Sequence, residues 1–230
     1  MIGVAGTTTT KASGTRIRSR RLGATQRREQ LVATAQRLFG ERGYRATTME
    51  DIANAAGVTK PLLYQHFASK RALYLELVHQ VSAELLEALV TAHKRATGPR
   101  EKVENGFGAY FELIVTHENA FRLLFGRQAP DDPELFSAVR QVQTAVIDII
   151  EASMPRELQA DHRRLLAYAV IGMAEGGARF WVERTRRESA GDPPDAMVDD
   201  DEVTLPDNVH LMTKRVSRLA WAGLRGIDLG

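Results

Sequence analysis

A chain of 230 residues can bury one sizeable core or divide into a small and a larger unit, and its lack of cysteine excludes a disulfide framework, a thiolate nucleophile and a Cys-ligated metal, as suits a reducing cytoplasm. No uninterrupted apolar run reaches the ~18 residues of a membrane span, and the first residues lack the apolar block of a secretory signal, so neither insertion nor export is expected. The net charge of +2 hides a division: through residue 79 there are 13 basic and five acidic residues, a net of +8, whereas the remainder carries −6, so a polyanion is drawn to the N-terminal third.

Residues 1–24 mix Thr, Ser and Gly with Lys11, Arg16, Arg18, Arg20 and Arg21 and hold no acid. They are expected to form a disordered basic arm able to track phosphates or enter a minor groove. From Thr25 to Arg42, the apolar residues Leu31, Ala35, Leu38 and Phe39 recur at helical spacing, and Gly43 suits the helix end. Next, Thr48 to Lys70 reads TMEDIANAAGVTKPLLYQHFASK: a short helix, a glycine turn and a second short helix. Here Ala53 is small where two helices nearly touch, Gly57 suits a left-handed turn, and Leu63 anchors the second helix.

The segment from Thr25 to about Val78 resembles the DNA-binding domain of the TetR family of bacterial regulators. The resemblance rests on Gln36-Arg37-Leu38-Phe39, Gly43-Tyr44, Ile52-Ala53, Ala56-Gly57-Val58-Thr59-Lys60, Leu63-Tyr64-Gln65-His66-Phe67 and Ser69-Lys70. It implies an all-α fold: a three-helix helix-turn-helix domain over residues 25–70 and a larger helical effector-binding and dimerisation domain over 71–230. It also implies phosphate contacts from Thr48, Tyr64, His66 and Lys70. Phe121-Arg122-Leu123-Leu124-Phe125, Arg179-Phe180-Trp181 and Ala220-Trp221-Ala222-Gly223-Leu224 resemble actinobacterial members tied to lipid metabolism.

The residues of the second short helix argue for base reading on their own account. At about 100° per residue, with Leu63 inward, Pro61 and Gln65 point outward and Leu62 and Tyr64 flank them. Thr59 can cap the helix, and Pro61 is tolerated because first-turn amides have no helical partner. Lys60, at the leading edge, can reach guanine or a phosphate; Gln65 matches adenine; Pro61 and Leu62 offer apolar contact to a thymine methyl. Lys70 and Arg71 follow Ser69 in a first helical turn, where the helix dipole disfavours cations, a conflict that an external phosphate would resolve.

Beyond Ser69, a helix with the stripe Tyr74, Val78, Val81, Leu85 and Leu89 runs to Gly98-Pro99 and is expected to bridge the two domains. A helix from Pro99 to about His117 and a short one from Asn119 to Gly126 follow. Asp132-Pro133 caps and opens the next, with the stripe Phe136, Val139, Val142, Val146 and Ile150. From Asp161 to about Glu188 a helix would span roughly 42 Å. One of its faces carries Leu165, Ala169, Gly172, Gly176 and Phe180; interior glycines cost about 1 kcal/mol each unless another backbone approaches closely. A last helix, Asp207 to Leu224, shows the seam Val209, Met212, Val216, Leu219 and Gly223. Together these two helices are expected to form half of a symmetric four-helix homodimer interface, intramolecular core being the alternative. Between them, Gly191 to Asp207 holds three prolines and seven acids, a polar connection.

Phe107, Tyr110, Phe111, Phe121, Leu124, Phe125, Met173 and Trp181 supply more bulky apolar surface than a minimal dimer needs, so they either line a cavity for a hydrophobic effector or simply fill a core. By the lipid-linked resemblance the effector is an elongated lipophile such as a fatty acyl thioester. Glu175 and Arg179 are spaced to pair with each other or to orient a polar ligand group, and the plain ion pair is favoured. An enzyme is not expected, nor is a cofactor: His117-Glu118 lacks a second histidine one turn on, the six histidines form no ligand-spaced cluster, and there is no phosphate loop or nucleophile elbow. The expected function is a sequence-specific DNA-binding regulator, homodimeric on an inverted-repeat operator. The alternative is a helical dimeric scaffold that binds DNA without sequence choice.

Overall fold

The computed structural model describes residues 23–119, 122, 132–189 and 209–226. The basic arm up to residue 22, Phe121, Leu124, Phe125 and the acidic connection lie outside them. The described residues form eight helices: α1 (Ala24–Ala46), α2 (Met49–Ala55), α3 (Lys60–His66), α4 (Lys70–Arg95), α5 (Pro99–Thr116), α6 (Pro133–Ala152), α7 (Ala160–Ser189) and α8 (Val209–Leu224). The fold is all-α, as expected. No described helix is long and apolar enough to cross a membrane.

The N-terminal end is ordered by local chemistry. Gly43 adopts φ 82°, ψ 164° and kinks α1 before its last residues, so the expected helix end is a bend. Thr47 is fully buried beneath it and donates its hydroxyl proton toward the Leu38 and Gly43 carbonyls, at 3.2 and 2.9 Å. Thr48 and Asp51 form a reciprocal cap at the start of α2, which holds the Asp51 carboxyl below its ordinary pKa. Gly57 takes φ 65°, a left-handed turn that a side chain would strain, while Ala53 and Leu63 are buried where α2 meets α3.

α4 packs against α1, α5 and α6 and so joins the N-terminal helices to the bundle. Ser69 caps it by accepting from the Ala72 amide at 3.1 Å, and the whole expected stripe from Tyr74 to Leu89 is buried. Burial pushes the Tyr74 hydroxyl up to about 12, helped by neighbouring Tyr44. Asp132 caps α6 as expected, accepting from the Glu134 and Leu135 amides. One residue of that stripe departs: Phe136 is 49% exposed, and Leu135 and Ile147 are buried with Val142 and Val146 instead, so the inward face is rotated towards Leu135.

Candidate DNA-reading surface and effector cavity

α3 is held from behind by α1 and α2. The Val58 amide donates to the Ala53 carbonyl at 2.9 Å, and Gln30 Nε2 donates to the Ala56 carbonyl at 3.1 Å, which fixes the turn. At the far end Arg28 donates to the His66 carbonyl at 2.9 Å, lies 4.4 Å over the Phe67 ring and pairs with Glu76 of α4. Arg28 thus ties α1, the end of α3 and α4 together, a role with no motif in the sequence to announce it.

With Leu63 locked inward, Lys60, Pro61, Tyr64 and Gln65 are exposed and Leu62 and His66 half-buried, the expected presentation. Thr59 occupies the cap position but its side chain makes no capping bond, so its hydroxyl stays available to an outside partner, contrary to expectation. Lys60 lies 3.5 Å from Glu50 of α2, both side chains being well exposed. Thr48 is exposed, but its amide and hydroxyl protons both go to Asp51, at 2.8 and 2.6 Å.

Lys70 and Arg71, whose place in a first helical turn suggests an external phosphate, both find partners within the chain. Lys70 Nζ donates to the Tyr44 and Thr47 carbonyls, each at 2.9 Å, and sits 4.3 Å over the Tyr44 ring. Arg71 pairs with Glu134 and, at 3.3 Å, with Asp132 at the start of α6. Internal acceptors answer the conflict, so neither cation requires an outside anion.

A cavity of about 370 Å³ lies among α4, α5, α6, α7 and α8. Its walls include Leu89, Phe107, Tyr110, Val146, Ile150, Ile171 and Trp221, with His93, Lys102, Ser153 and Arg225 as polar members. Of the expected ligand residues, Phe107 and Tyr110 line it. Phe111 does not: its ring fills the space over Gly177, where a Cβ would come within 2.9 Å of it, and it is completely buried. Met173 and Trp181 pack partly buried against the core, and Glu175 pairs with Arg179 at 3.2 Å; none of the three is among the lining residues. Burial raises the Glu175 carboxyl, and Arg179 opposes the shift.

The walls from α7, Leu166, Val170, Ile171 and Ala174, lie opposite the glycine-bearing stripe, so the helical period carried that signal. The stripe itself faces outward: Leu165 is 66% exposed, Phe180 48%, and an added Cβ at Gly172 or Gly176 would meet nothing within 4 Å. On α8, Leu219 is 67% exposed and Gly223 is open, while Met212 is buried. The expected seam is therefore split between the core and an uncovered face.

Residues 31–77 match the family model described as bacterial regulatory proteins, tetR family. The chain is 32% identical over 177 residues, 76% of its length and 80% of the relative's, to the HTH-type transcriptional activator FasR of Mycolicibacterium smegmatis. Its fold is similar to that of a TetR-like transcriptional regulator from Rhodococcus sp. RHA1, with TM-score 0.68, 22% identity and coverage of 90% of this chain and 100% of that one. It is also similar to the regulator FadR from Bacillus subtilis in complex with stearoyl-CoA, with TM-score 0.66, 17% identity and coverage of 85% and 98%. With a helix-turn-helix whose reader face is exposed and a likeness to FasR that spans most of both proteins, the chain belongs to the TetR family and is a DNA-binding transcriptional regulator.

Proposed function

We propose that two copies pair through the outward stripes of α7 and α8 and present two α3 helices to an inverted-repeat operator, and that an elongated lipophile in the bundle cavity shifts their spacing. Lys60 and Gln65 read base edges, Pro61 and Leu62 meet thymine methyls, and Thr59, Tyr64 and His66 contact the backbone. Thr48 and Lys70 frame that surface, with Lys70 acting chiefly as a brace. The observation that carries this reading is the exposed face of α3, which nothing in the chain covers among the described residues and which α1 and α4 hold rigidly.

Support for a lipophilic effector comes from the apolar walls of the cavity and from the FadR complex with stearoyl-CoA, whose fold this chain shares. Such an effector controls occupancy only through differential affinity: moving an operator from nearly full to nearly empty requires about 5.5 kcal/mol between the two states. Nuclease footprinting of the protein across its own genomic neighbourhood, with and without acyl compounds, tests the reading. A discrete protected inverted repeat, preferred by roughly 10³-fold over random duplex at equal salt and altered by an acyl compound, is expected. Equal affinity for random duplex would favour the nonspecific scaffold and overturn it.

A further inference from the structure

Taking the cavity as the effector site, we infer that it selects an amphiphile with an anionic head, held by Lys102 and Arg225 at the mouth while a single chain lies against the apolar walls.

The polar wall residues gather at one end of the bundle. His93 is in the last turn of α4, Lys102 in the first turns of α5, Ser153 just after α6 and Arg225 just after α8. Since α4 begins at the DNA-reading helices and runs about 39 Å at 1.5 Å per residue, this end is the one remote from DNA. Leu89, Phe107, Tyr110 and Ala174 line the cavity farther along the same helices.

The six-charge acidic excess beyond residue 79 is carried by the seven acids of the connection over residues 191–207, so the basic character of this mouth is a local feature to be explained from its own residues. The basic last turn of α4 complements its helix dipole. Lys102 has no such account: it sits near the start of α5, where the dipole opposes a cation. Neighbouring acids are engaged elsewhere, Glu101 accepting from the Thr97 amide and hydroxyl at 2.7 and 2.8 Å and Glu104 accepting from Arg100 at 2.8 Å. Among the described residues, Lys102 and Arg225 form no ion pair within 4.0 Å. Two cations without an acid partner among the described residues, set beside apolar walls, are the complement of a carboxylate or phosphate joined to an alkyl chain. His93 Nδ1 lies 2.8 Å from the Leu89 carbonyl, which sets the ring.

Titration of the full chain with tetradecanoate, tetradecyl phosphate and tetradecanol below their micellar concentrations tests this, with Trp221 fluorescence and calorimetry as readouts. Both anions should bind at least about tenfold more tightly than the alcohol at low salt, and the tighter of the two identifies the head as carboxylate or phosphate. In Lys102→Gln/Arg225→Gln that preference should fall below about threefold while tetradecanol binds as before, which also reports an intact cavity. Equal binding of acid and alcohol by the unaltered protein, or a preference that survives in the double variant, would overturn the head-group assignment and leave the lipophile reading standing. Binding of none of the three would overturn both.

Discussion

Lys70 is a cation beside the proposed DNA-reading face, yet its ammonium is turned onto two carbonyls and an aromatic face. Hydrogen bonds from a charged donor to partly buried carbonyls such as these contribute about 1.5–3 kcal/mol, more than an exposed phosphate contact leaves after screening. Lys70→Met should therefore lower unfolding free energy by about 2 kcal/mol in urea while leaving the salt slope of DNA binding within one counterion of the unaltered protein. Unchanged stability with a shallower slope would return Lys70 to the phosphate-binding role that the family resemblance implies. The sequence placed Lys70 correctly at the start of α4. Its partners were not legible because the Tyr44 and Thr47 carbonyls become neighbours only once Gly43 bends α1. Thr59 shows the converse: its position was readable from the TK-P pattern, but whether a hydroxyl caps or stays available is decided by a rotamer.

At the level of elements, α6 touches both ends of the proposed switch. Its first turn, with Asp132 and Glu134, grips Arg71 of α4 beside the DNA-reading helices, and Val146 and Ile150 in its second half line the cavity. A ligand that displaces α6 along or about its axis therefore acts on α4 through ion pairs as well as through packing. Exposed pairs of this kind contribute little to stability, about 0–1 kcal/mol, so their loss should leave the fold intact. Arg71→Gln should keep the affinities for operator and for acyl compound separately within about threefold of normal but shrink the effect of one on the other. Undiminished coupling in that variant would assign transmission to the buried stripe of α4 alone. The helices and their caps were legible because spacing, proline and capping residues act locally. Neither the rotated face of α6, which exposes Phe136, nor the Arg71 latch was, since both depend on where a distant helix packs.

At the scale of the whole molecule, the strongest unmet demand is the uncovered face built by α7 and α8. Leu165, Tyr168, Phe180 and Leu219 are about half exposed or more, and Gly172 and Gly176 open onto vacant space although glycine weakens a helix interior. Among the described residues these glycines have no compensating neighbour; across a two-fold axis they would let the backbones of two α7 helices approach closely. The period of the stripe is readable in the sequence, and its α7 half is not packed into the core formed by the described residues. The α8 seam is less legible, because Met212 and Ala220 face the core while Leu219 and Gly223 face out. Leu165→Glu/Leu219→Glu places four like charges at such an interface and leaves the cavity walls and α3 untouched. Sedimentation should show the unaltered chain as a dimer and the double variant as a monomer with a normal circular dichroism spectrum. Because a dimer engages two half-sites as one ligand, operator affinity should fall by at least about 10²-fold, while weak binding to random duplex, which rests on the charge of each N-terminal third, falls far less. A variant that remains dimeric would place the interface on another face, and one that turns monomeric with full operator affinity would break the link between pairing and recognition.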